Sequence, residues 1–122
     1  MDCYGRGDFA MDKLTLYREY IQELLSEYAD TSPRGKDFET EVVFDVPKDR
    51  YLVVHAGWQN RRAMYGCILH VDLKSDGKIW MHYSGTEVGI ANELVRLGVP
   101  SSDIVLAFHE PLMRPYTDFA VG

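Results

Sequence analysis

Between Thr40 and Tyr83 the chain passes through four apolar-alternating segments, Thr40 to Val46, Arg50 to Trp58, Arg61 to Leu73 and Lys78 to Tyr83. Only Pro47-Lys48-Asp49, Gln59-Asn60 and Lys74-Ser75-Asp76-Gly77 separate these segments. Connections this short force neighbouring strands to pair antiparallel, because a parallel pair needs a crossover of about a dozen residues or more. Side chains alternate across a strand, so each hairpin register also decides which residues share a face. A one-residue slip would invert them all.

The last hairpin is the best determined. A two-residue Asp76-Gly77 turn would set Met81 against Asp72 and mix apolar with charged residues on each face. A three-residue loop, Ser75-Asp76-Gly77, pairs Leu73 with Ile79, Val71 with Met81 and Leu69 with Tyr83, and puts Gly77 where a bulged turn requires positive φ. With Gln59-Asn60 as the turn, Ala56 meets Ala63, Val54 meets Tyr65 and Leu52 meets Cys67. With Pro47-Lys48-Asp49 as the loop, Phe44 meets Leu52 and Val42 meets Val54. One dry face results: Val42, Phe44, Val46, Leu52, Val54, Ala56, Tyr65, Cys67, Leu69, Val71, Leu73, Ile79 and Met81. The opposite face then carries Glu41, Val43, Asp45, Tyr51, Val53, His55, Met64, Ile68, His70, Asp72, Trp80 and His82. A merely solvated face would be mostly charged or small, whereas apolar and aromatic residues mixed with histidines mark a contact surface.

The dry face needs a cover, and the preceding segment supplies one. Leu14, Tyr17, Ile21, Leu24, Leu25 and Tyr28 recur at spacings of three and four, one stripe of a helix that Asp12 can cap and the Thr31-to-Gly35 loop ends. Residues 1–10 read as a flexible extension, and 11–122 as a single α+β domain. Its expected architecture is an amphipathic helix on a four-stranded antiparallel meander, followed by a second helix and a short C-terminal strand. The second helix is expected over Glu87 to Leu97, capped by Thr86 or by Ser84 with Glu87, and stopped by Gly98 and Pro100. Asp103 to Phe108 reads as the last strand.

Composition narrows the functional classes. With 122 residues and 46% hydrophobic content, the chain can fill one core. The net charge of −6 opposes coating of nucleic acid, which depends on Lys and Arg neutralising phosphates. No apolar run reaches the ~20 residues needed to span a bilayer, and Met1 to Ala10 lacks a secretory apolar core, so a cytoplasmic protein without membrane association is expected. Cys3 and Cys67 are too few and too far apart for a disulfide framework or a C-x-x-C metal site; they read as a tail thiol and a buried strand thiol.

The polar residues offer several chemistries. In this register His70 falls opposite His82, beside the pair Asp72 and Trp80, while His55 lies too far along the sheet to join them. Two histidines and a carboxylate can bind a metal or form a hydrogen-bonded patch with pH-dependent charge. Ser84, Thr86 and Glu87 are explained by helix capping, and no glycine spacing makes a phosphate loop. Trp58, Arg61 and Arg62 at one hairpin tip are the strongest hint of nucleic-acid recognition. The simpler reading is a polar turn whose Trp58 folds back on the core. His109 and Arg114, flanking Pro111, can serve to satisfy tail carbonyls.

The stretch from Asp76 to Pro111, with Trp80, Thr86, Glu87, Arg96, Asp103, His109 and, just beyond, Arg114, closely resembles the XisI-like family, the fdxN-element excision controlling factors of cyanobacteria. The resemblance extends upstream through Tyr51, Gly57-Trp58, Arg62, Gly66, His70 and Asp72, and downstream through Phe119-Ala120-Val121. It implies an accessory factor in programmed DNA rearrangement during heterocyst development, acting alongside a site-specific recombinase and a companion XisH-like protein. No catalytic residue, metal or cofactor is carried over by the resemblance, and none is assigned. Glu87, Asp103, His109 and Arg114 match the family pattern without a given role. The leading expectation is a regulatory, non-enzymatic module that binds a partner, or a second copy of itself, through Tyr51, Val53, His55, Met64, His70, Asp72, Trp80 and His82. The alternatives are direct DNA contact through Arg61 and Arg62, or a small metal- or ligand-binding enzyme of hydrolase type around His70, Asp72 and His82.

Overall fold

The computed structural model describes residues 7–32, 35–84 and 89–122; of residues 7–12 and Ser84 the backbone alone is described. Helix α1 (Gly7–Thr31) packs across a sheet made of β1 (Phe38–Asp45), β2 (Arg50–Gln59), β3 (Arg62–Leu73), β4 (Ile79–Ser84) and β5 (Ile104–Leu106), in that spatial order. β1 to β4 are antiparallel neighbours. β5 returns parallel to β4 after helix α2 (Gly89–Arg96), the crossover a parallel pair needs. The architecture is α+β, and the expected C-terminal strand joins the meander as a fifth strand.

The stripe of α1 faces the sheet as its spacing requires. Tyr17, Ile21, Leu24, Leu25 and Ala29 are buried, with Leu14 and Tyr28 packed at the margins. A fully buried side chain such as Ile21 or Leu25 contributes about 1.5–3 kcal/mol relative to exposure. Residues 7–12 are already helical, so Asp12 lies inside the helix rather than capping it, and the last four residues of the expected extension belong to it. No glycine or proline interrupts the sequence from Asp8 to Ser32, which leaves nothing to stop the helix at residue 12.

Three sequence-derived registers meet different outcomes. Leu73 pairs with Ile79, Asp72 with Trp80 and Val71 with Met81, and Gly77 adopts φ 90° in the turn, as expected. The β1–β2 loop is one residue longer than expected, because Val46 belongs to the turn. The Asp49 amide donates to the Val46 carbonyl (3.0 Å), Pro47 takes the second turn position, and Asp49 closes the loop at φ 53°. Phe44 therefore pairs with Tyr51 and Val42 with Val53. That single residue inverts β2: Tyr51 and Val53 are buried under α1, and Leu52 and Val54 turn to the other side. The β2–β3 turn is Asn60-Arg61, both left-handed (φ 52° and 67°), so Ala56 pairs with Tyr65.

Two bulges complete the frame. Val54 pairs with Cys67 but Val53 with Leu69, which leaves Ile68 as an extra residue. Val71 pairs with Met81 but His70 with Tyr83, which leaves His82 extra on β4. A bulge re-aims neighbouring side chains, so Leu69 and Val71 face α1 while Tyr65 and Cys67 face away. Cys67 is exposed, not the buried thiol expected. Gly57 marks a close approach: a Cβ there would sit 2.0 Å from the Asp37 carbonyl oxygen, which accepts the Trp58 amide at 2.8 Å.

At the far end, Ile90, Ala91 and Leu94 anchor α2 to the core, while Leu97, expected in the same stripe, is exposed. The helix ends on Gly98 (φ 111°), with Val99 bonded to Leu94 and Gly98 to Val95, the paired closure that a left-handed glycine allows. Thr86 and Glu87, and hence the proposed helix cap, lie outside the described residues.

Candidate functional site

α1 fixes the inner face of the sheet through polar contacts as well as apolar ones. Arg18 makes a forked pair with the Asp49 carboxylate (2.7 and 3.0 Å), and the Tyr51 hydroxyl donates to the same carboxylate at 2.7 Å. The Arg18 guanidinium holds Asp49 below the ordinary carboxylate range, and burial with the Asp49 bond pushes Tyr51 up to about 12. Asp103 accepts from the Tyr17 hydroxyl (2.6 Å) and pairs with Lys13 (3.0 Å), so this family-pattern residue ties α1 to the turn before β5. Tyr51 and Val53 belong to this sealed side and cannot be part of an outer contact surface. His55, opposite Thr40, lies against the Phe38 ring (5.4 Å between centroids), and Met64 sits opposite Gly57 on the same side.

On the outer face the chemistry gathers around Asp72. Its side chain is nearly buried, and each carboxylate oxygen meets one imidazole: His70 Nε2 lies 3.2 Å from Oδ1 and His82 Nε2 lies 3.1 Å from Oδ2. The two imidazole centroids are 4.9 Å apart. Sequence register set the histidines directly opposite one another. The structure brings them together differently, since His70 pairs with Tyr83 and the bulge at His82 swings that ring back toward Asp72. Burial holds His82 below its ordinary range; the Asp72 charge opposes that shift and His70 reinforces it. Lys74 Nζ is 3.8 Å from Asp72 Oδ2.

Trp80 adjoins this cluster, 6.1 Å from the His82 ring, between the Lys74 ammonium and the Arg114 guanidinium (5.6 and 5.5 Å from its centroid). Arg114 also donates to the carbonyls of His109 (3.0 Å), Val121 and Ala107 (both 3.5 Å), so its role is to hold the C-terminal segment down. The His109 ring lies against Phe108, 4.7 Å between centroids. The Ala120 amide bonds to the Ile104 carbonyl and Ala120 bridges Val105, which closes the β5 edge; Lys78 Nζ reaches the Gly122 carbonyl. The tail thus roofs the β4–β5 half of the outer face.

The β1–β3 half is open. Trp58 is 61% exposed and Tyr65 87% exposed, with Val43 exposed, Leu52 and Val54 half-buried and the Cys67 thiol accessible between them. Trp58 does not fold back on the core. Arg61 and Arg62 are exposed at the same hairpin tip. A hollow of about 320 Å³ lined by Val43, Asp45, Arg50, Leu52 and His70 joins the open strip to the histidine cluster.

The sequence model described as XisI protein matches residues 11–121. The chain belongs to the XisI family. Among solved structures it is similar to a XisI-like protein from Anabaena variabilis ATCC 29413, at 38% identity and a TM-score of 0.82 over 89% of this chain and 99% of that one. It is also similar to the fdxN element excision controlling factor XisI of the same organism, at 35% identity and a TM-score of 0.79 over 90% of this chain and 99% of that one. No curated protein matches it.

Within this XisI-family fold, the sequence reading picked out His70, Asp72, Trp80 and His82 on the outer face. It missed Leu52, Val54, Tyr65 and Cys67 as their neighbours there. Lys74, too, was not singled out, although its position next to the loop made it exposed by default. Among the described residues no helix is long and apolar enough to cross a membrane.

Proposed function

We propose that this chain is an accessory factor controlling excision of a DNA element, and that it acts by docking a partner protein on the open half of its outer sheet face. Family membership supports the first part, together with the excision controlling factor to which the chain is similar. The observation that carries the second is the exposed strip from Trp58 to Val43, with Tyr65 near its Trp58 end. Apolar strips of this kind mark contact sites, and Trp and Tyr are the side chains that most often dominate binding energy. The partner is a XisH-like protein, with a site-specific recombinase acting beside them. The chain regulates strand cutting without performing it, and works in the cytoplasm with no membrane contact.

The net charge of −6 favours a protein partner over DNA. Direct DNA contact through Arg61 and Arg62 is the second reading, favoured by the exposure of both at one tip, where neither forms an ion pair among the described residues. The two separate in a titration of purified XisH-like protein and of duplex DNA against wild type, Trp58→Ala/Tyr65→Ala and Arg61→Ala/Arg62→Ala. Docking predicts that the aromatic double variant loses about 2 kcal/mol or more of partner affinity. Partner binding that is unchanged in that variant, or steeply salt-dependent DNA binding lost in the arginine variant, contradicts it.

A further inference from the structure

We propose that His70, Asp72 and His82 form a surface site for one divalent first-row transition ion, zinc foremost, with a coordination position left open toward the neighbouring hollow. One ligand atom from each residue lies within 4.8 Å of the other two. Two donors on a tetrahedral zinc, each about 2.0–2.2 Å from the ion, stand roughly 3.3 Å apart. The histidine–aspartate distances, 3.2 and 3.1 Å, are close to that separation, but His70 meets Oδ1 and His82 meets Oδ2. One ion would therefore take both oxygens of Asp72 or a small turn of its carboxylate, and the histidine–histidine edge has to close; both imidazoles are about one-third exposed.

Two further observations favour an ion over a plain hydrogen-bonded patch. The β-bulge that leaves His82 unpaired on β4 is what turns its ring onto Asp72, and bulges recur where a strand must re-aim a functional side chain. Asp72 is 6% exposed, and the lysine that reaches it, Lys74, stands 3.8 Å away on a half-exposed side chain, while its two closer partners are imidazoles that carry charge only when protonated. A divalent ion would give this buried carboxylate a permanent compensating charge at closer range. The set of two imidazoles and one carboxylate suits zinc, cobalt, nickel or ferrous iron, and excludes magnesium and calcium, which require oxygen donors. The open position faces the side of His70 where Val43, Asp45 and Leu52 leave a cavity, room for water or a partner's donor group.

Trp80 provides the probe, since its ring is 6.1 Å from that of His82. Untagged Trp58→Phe protein, treated with chelator, keeps Trp80 as its one indole and is titrated with Co²⁺ while Trp80 fluorescence is followed; Zn²⁺ then competes. The expected result is saturable quenching at one ion per chain, reversed by Zn²⁺. Affinity should fall about tenfold or more in His70→Ala, His82→Ala and Asp72→Asn, and stay unchanged in His55→Ala and His109→Ala. Lys74→Met should tighten binding about threefold or more by removing a like charge beside the ion. The aspartate-to-asparagine variant keeps shape and hydrogen bonding, and so separates loss of the site from loss of folding. Quenching linear in Co²⁺, quenching that Zn²⁺ does not reverse, or equal losses in the His55 and His82 variants would overturn the proposal.

Discussion

The two faces of the sheet are built from similar residues and treated in opposite ways. Under α1, Tyr51, Val53, Leu69, Val71, Ile79 and Met81 are wholly enclosed, and even the polar Tyr51 hydroxyl is matched by Asp49 and Arg18. On the outside, Tyr65, Trp58 and Val43 are exposed, and among the described residues the cover is a tail pinned by Arg114 over the β4–β5 end. Aromatic and β-branched content alone therefore does not mark the core. What marks it is the presence of a complementary layer, which the described residues do not supply over the outer strip.

The contrast can be broken most severely from inside. Leu69→Ala leaves a cavity under α1 and should cost about 2–5 kcal/mol of unfolding free energy, read by chemical denaturation. Arg18→Ala comes next, since it strands the half-buried Asp49 carboxylate and one partner of Tyr51, at about 1–3 kcal/mol. Alkaline pH sharpens the same point. Because burial raises Tyr51 from an ordinary 10 to about 12, the unfolded chain releases that proton first and the folded state holds more protons. Stability present below pH 10 is then lost as pH rises toward 12, and Tyr51→Phe should flatten that decline in a pH series of denaturation curves. His82 gives the opposite slope on the acid side. Its lowered folded value means the unfolded chain takes up the proton first, so stability falls as pH drops below about 6.5, and His82→Gln should remove that contribution. Smallest of all, Trp58→Ala and Tyr65→Ala should each change stability by no more than about 0.5 kcal/mol, because neither fills an interior.

Much of this arrangement was legible from sequence. The α1 stripe, the Ser75-Asp76-Gly77 loop and the Gly98 stop each rest on local chemistry that tertiary context left intact. The face of β2 was not legible. Tyr51-Leu52-Val53-Val54 is apolar at every position, so alternation cannot choose a side, and the choice fell to loop length. Asp49 in a left-handed conformation and Val46 inside the turn lengthen that loop by one residue, enough to exchange Tyr51 with Leu52. The second hairpin hid its turn for a related reason: Arg61 adopts φ 67°, a conformation usually left to glycine or asparagine. The histidine–aspartate cluster was anticipated through a direct cross-strand pairing, whereas a bulge builds it. Bulges insert one residue with no compositional signature, so the three residues come together through a different register from the expected one.

The most direct measurement uses the one thiol on the open strip. In a Cys3→Ser background, the exposed Cys67 lies opposite Val54 on the outer face, its thiol donating to the Leu69 carbonyl at 3.0 Å. A thiol reagent should label it in the native protein without unfolding, more slowly than in the unfolded chain because burial holds the thiol above its ordinary range, and the proposed XisH-like partner, once bound, should slow the labelling sharply further. Labelling that requires unfolding would mean this face is already covered, and labelling indifferent to the bound partner would mean that docking occurs elsewhere.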